Sequence, residues 1–214
     1  MDLMSMLQQQ LSGDTLSSIS QQVGASEEQT TQASNGIFAA LLGGLANNAS
    51  TPQGLESLSA ALDKDHDGSV LDDLLGLVTG SSQANPRATN GTGMLGHILG
   101  NNQEQVAQQI SQSSGLNMGQ IMKLMPILAP IVMAVIGRMK NNAGNANSGM
   151  SGSVMFDLAK ILMGSAQSAA SQGGFGDLIG SVLGGVMGQQ AQSSQQATAG
   201  GGLLGTIFGK LFKK

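Results

Sequence analysis

The chain is 214 residues long, enough to bury a substantial core, yet only 10% of it is charged and 2% aromatic. It holds no cysteine, which excludes disulfides, thiolate catalysis and Cys-based zinc or iron–sulfur sites. The net charge of −4 is uneven: residues 1–80 carry ten acids and one base (−9), and residues 81–214 carry three acids and eight bases (+5). No basic run is interleaved with aromatic rings, so no nucleic-acid partner is expected.

In chain order, the start MDLMSMLQQQL carries Asp2 and lacks the basic opening and long apolar run of a secretory signal, which predicts a cytoplasmic protein. Ser26 followed by Glu27 and Glu28 reads as an ordinary helix start. It leads into the apolar helix IFAALLGGLA, residues 37–46. Leu55, Leu58 and Leu62 then make a helical stripe, as do Leu74, Leu75 and Val78 beyond an acidic stretch at 63–73. SSQANPRATNGTG (81–93) and NNAGNANSGMSGS (141–153) read as loops, and QQAQSSQQATAGGG (189–202) as a flexible linker. No segment alternates convincingly as a strand does.

The most apolar stretch, LMPILAPIVMAVIG, runs for fourteen residues from Leu124 to Gly137 between Lys123 and Arg138. A spanning helix needs about 20 residues, so this segment is expected as a buried central helix and no transmembrane helix is expected. Pro126 and Pro130 predict a helix boundary or a kink near MPILAP, because proline removes a helical hydrogen bond. Glycines spaced by four (Gly96 and Gly100; Gly180, Gly184 and Gly188; Gly205 and Gly209) suggest close helix contact within a bundle, with self-association as the second reading.

ISQQVGA (19–25) and ISQSSGL (110–116) are similar at an offset of 91 residues, and each precedes an apolar helix. The expected fold is therefore all-α, a multihelical bundle of two related helical units around buried apolar helices, with a Gly-rich amphipathic C-terminal region. The corresponding division is 1–80, a linker 81–93, 94–142, a Gly-rich helical region 143–188, a linker 189–202 and a basic tail 203–214. In that tail Leu204, Ile207, Phe208 and Leu211 share a helical face, and Lys210, Lys213 and Lys214 lie off it or at its end. Such a segment suits a membrane surface or a protein groove, and equally a helix folded back on its own core.

The chemically pointed stretch is DKDHDGSVLDD, residues 63–73. Asp63, Asp65 and Asp67 occupy positions 1, 3 and 5 of an EF-hand-like loop, where side-chain oxygens meet calcium. Gly68 takes the turn at position 6, and Ser69 offers a carbonyl from position 7. Position 12 is Leu74 rather than the bidentate Glu, which leaves Asp72 and Asp73 as substitutes and predicts weak binding. The competing reading is an acid-rich helix start, with Asp67 as cap and Asp72 and Asp73 favouring the helix dipole.

Other motifs fail on context. GTGMLG (91–96) matches a dinucleotide fingerprint but follows a polar, proline-containing stretch instead of a strand, and GTIFGK (205–210) is too short for a phosphate loop. There is no G-x-S-x-G elbow and no H-E-x-x-H pair. His66 reads as a solvated loop residue and His97 as a half-buried, hydrogen-bonded one. No enzyme is expected.

LDKDHDGSVLDDLLG, GMLGHILG, QQISQSSGL and LMPILAPIVMAVIGR together resemble the bacterial domain-of-unknown-function 937 family, a group of YidB-like helical proteins, over about residues 55–140. The resemblance implies an all-α fold and a bacterial origin, and supplies no catalytic residues. The functional expectation is a non-enzymatic structural or interaction protein, calcium-modulated through the acidic loop, with a protein partner or self-association. The alternative is a membrane-surface protein acting through its C-terminal helices.

Overall fold

The computed structural model describes residues 3–66, 68–146 and 151–172, all within one compact unit. It is all-α. The helices are α1 (Leu3–Gln10), α2 (Asp14–Val23), α3 (Glu27–Asn48), α4 (Pro52–Asp65), α5 (Leu74–Thr79), α6 (Gly91–Ile98), α7 (Gln103–Ser114), α8 (Met118–Ala146) and α9 (Ser151–Gln172). No strand occurs among the described residues. The Gly-rich positions 180–188 and the tail 203–214 lie outside them.

Two helices make the centre. From Ile37 to Ala46 every residue of α3 is buried, and α8 is buried almost all round from Leu124 to Ile136. A helix that is apolar on every side has no face to offer water, so these two pack against each other and the rest wrap them. The wrapping helices are amphipathic. Leu3, Met4 and Leu7 of α1, Val106, Ala107 and Ile110 of α7, and Leu158, Leu162 and Ala166 of α9 all point inward. Apart from Phe38, the core of the described residues is filled by Leu, Ile, Val, Met and Ala. Each large side chain so buried contributes about 1.5–3 kcal/mol.

Local chemistry sets the starts. The Ser26 hydroxyl accepts from the Gln29 amide while the Gln29 side chain accepts from the Ser26 amide, a reciprocal cap opening α3. Thr51 caps α4 with Pro52 in its first turn.

Several expectations are corrected. No helix boundary falls at MPILAP: α8 runs through both Pro126 and Pro130 and continues to Ala146, so residues 141–146 are helix and not loop. Pro130 cannot donate to the carbonyl of Pro126, and the start of α6 occupies that position instead. A β-carbon on Gly91 would collide with the Pro126 carbonyl, so only glycine lets α6 approach there. The tight contacts are thus at Gly91 and at Gly44, which faces Ile98, and not at Gly96, whose surroundings are open. By length and composition α8 could cross a membrane, with a mean hydropathy of 1.8, but 67% of that apolar stretch is buried inside the bundle.

Candidate functional site

The acidic segment joins α4 to α5 beside Arg138 and Lys140 of α8. Leu58 and Leu62 bury the inner face of α4, which carries Asp63 and Asp65 as its last acids. Gly68 then turns the chain with φ of 97°. A single 3-10 turn, Ser69–Asp73, follows, with Val70 and Leu71 buried beneath it. Asp73 closes the segment by accepting from the Gly76 amide at 3.0 Å, which caps α5. A β-carbon on Gly68 would lie 3.1 Å from the β-carbon of Arg138, so the turn is pressed onto α8 as well as left-handed.

The carboxylates meet protein cations. Asp63 Oδ1 lies 2.6 Å from Lys140 Nζ, and Asp72 Oδ1 lies 3.1 Å from Arg138. Lys140 is the unusual member, since its side chain is only 8% exposed. Its ammonium also donates to the Ser59 hydroxyl at 2.7 Å and to the Ser59 carbonyl at 3.0 Å. Three donors meet three acceptors, which is what a buried ammonium requires. The Asp72–Arg138 pair is open to solvent at both ends.

Of the six residues expected to ligate calcium, Asp63, Asp72 and Asp73 are thus turned to Lys140, Arg138 and the Gly76 amide. Asp65 is half-buried and Ser69 exposed, while Asp67 lies outside the described residues. Among the described residues, no three acidic or histidine side chains converge as a metal site. The position-6 glycine fits a calcium loop; Asp63 and Asp72 would have to leave their cations to join one.

Both histidines depart from expectation. His66, at the C-terminal cap of α4, is 5% exposed rather than solvated, and His97 is exposed rather than half-buried. Sequence reasoning missed Lys140, Arg138 and Ser59 as the partners of the acidic segment. The signal was present in the split of −9 and +5 between the two parts of the chain.

No curated protein and no solved structure matches the chain. The family described as "Bacterial protein of unknown function (DUF937)" matches residues 5–139, from α1 through Arg138 and the whole acidic segment. The chain, matched over well more than half its length, therefore belongs to that family of bacterial proteins of unknown function.

Proposed function

We propose that the protein is a non-enzymatic structural or interaction protein of two related helical units, in which the acidic segment 63–73 is a cation-responsive clasp. The observation that carries this reading is the pairing of Asp63 with Lys140 and of Asp72 with Arg138 across a left-handed glycine turn. Five carboxylates within eleven residues need countercharge. Two cations of α8 supply part of it, and calcium competes with them, drawing on Asp65, Asp67 and the Ser69 carbonyl as well. Such exchange alters how firmly α4 and the 3-10 turn hold to α8 around Arg138 and Lys140, and so what that surface presents to a partner. With no bidentate Glu at position 12, affinity belongs to the weak range, about 10⁻⁵ to 10⁻³ M.

The test is calorimetric titration of the purified protein with calcium, together with a thermal-shift series. Binding in that range is expected, with severe loss in Asp65→Ala and Asp67→Ala and a smaller change in Asp73→Ala, whose side chain caps α5. Absence of both heat and thermal shift at millimolar calcium would remove the calcium reading and leave a purely structural clasp. The membrane-surface alternative rests on the sequence of 203–214 alone.

A further inference from the structure

The two halves touch through matching atoms. Gly24 and Gly115, 91 residues apart, end α2 and α7, both in the left-handed region with φ of 69° and 72°. Two residues beyond each, Ser26 and Asn117 open α3 and α8, and each shares a reciprocal cap with the glutamine three residues on, Gln29 or Gln120. Those glutamines also cross over. Gln29 Nε2 donates to the Gly115 carbonyl at 3.5 Å, and Gln120 Nε2 donates to the Gly24 carbonyl at 2.8 Å and to that of Val23 at 3.1 Å.

The correspondence extends both ways. Buried Leu3, Met4 and Leu7 match buried Met94, Leu95 and Ile98, and buried Ala33, Ile37, Leu41 and Leu45 match Leu124, Leu128, Val132 and Ile136, all at the same offset of 91. Each half also reaches the other's central helix: α1, α2 and α4 touch α8, and α6, α7 and α9 touch α3, while α6 seats chiefly on α8 and α2 on α3 within their own halves. When residue i touches j and the equivalent of j touches the equivalent of i, the surface is self-complementary, as at a two-fold dimer interface.

From this we infer that the surface between the halves fits a second copy of the same chain, α1–α5 of one molecule pairing with α6–α9 of another in an exchanged dimer. The inference rests on the reading of the halves as related units. Residues 80–90, which contain no helix, are the connection across which the exchange occurs. Every contact between the halves is the same within one chain or between two, so concentration and the reach of the connection decide which forms. A short connection holds its ends at an effective concentration on the order of millimolar, which favours the closed monomer in dilute solution, and the burial of Ala88 within it adds to that preference. Shortening the connection removes that advantage.

The experiment uses the full-length chain, unfolded in urea and refolded at near-millimolar and at micromolar concentration, with mass read by light scattering after gel filtration. A second sample carries a deletion of residues 82–87. Exchange predicts a dimer fraction that rises with refolding concentration, persists on dilution and reverts only after unfolding. It also predicts a predominantly dimeric, helical deletion variant. Monomer alone from the intact chain at both concentrations overturns the inference, as does a dimer that falls apart at once on dilution, which would be a surface contact. Should the deletion variant fail to fold, the intact chain decides. Gln29→Ala and Gln120→Ala separate the underlying reading. Both should lower the melting temperature, Gln120→Ala the more, because Gln120 makes two short crossing bonds to the single long one of Gln29. If they do so while the intact chain stays monomeric, the crossed contacts stand and only the exchange falls.

Discussion

Lys140 and Arg138 stand two residues apart and each holds one acid of the segment 63–73, but their surroundings make them unequal. Lys140 is desolvated and meets three oxygens, so its removal strands the Ser59 hydroxyl in a buried site and leaves Asp63 without its cation. Unpairing a buried polar group costs about 1–3 kcal/mol. Asp72 is largely solvated and Arg138 partly so, and pairs open to solvent contribute about 0–1 kcal/mol. Urea denaturation of Lys140→Met and Arg138→Ala should therefore give a clear loss of stability in the first and a small one in the second. Equal losses would mean that burial around Lys140 is not what separates the two. That distinction was invisible in the sequence, where both residues simply follow an apolar run. Burial depends on where α4 comes to lie, and local pattern does not say.

At the scale of elements, the apolar stretch 124–137 was legible as a central helix, because a segment apolar on all sides can only be buried. The helix start at Ser26 and the helical stripe of α4 were legible from local pattern, while the reciprocal partner of Ser26, Gln29, was not. Which of the outcomes allowed at Pro126 and Pro130, a boundary or a helix that runs on, was not legible either. A proline penalty is local, and what offsets it here is the start of α6, held against the freed carbonyl of Pro126 through Gly91. Gly91→Ala should therefore destabilise the protein by more than the roughly 1–3 kcal/mol of ordinary overpacking, since backbone meets backbone there. Gly96→Ala, in open surroundings on the same helix, should be neutral or stabilising because it favours helix. Thermal melts of the two variants check this, and similar melting temperatures would show that α6 does not seat on that carbonyl.

Across the whole molecule, the split in charge becomes a contact: the acid-rich first part of the chain meets Arg138 and Lys140 of α8 at the segment 63–73. The sequence carried the charges and the glycine turn. It did not carry the pairing, which joins Asp72 to Arg138 across 66 residues and depends on two buried helices first finding each other. The central claim is that calcium and the cations of α8 compete for the same carboxylates. Calorimetric titration of Arg138→Ala beside the unaltered protein tests it most directly, because Arg138 is partly exposed and its loss should leave the fold intact. Competition predicts tighter calcium binding in the variant, up to about fivefold for an exposed pair worth as much as 1 kcal/mol. Unchanged or weaker binding, or no heat from either protein, would contradict it.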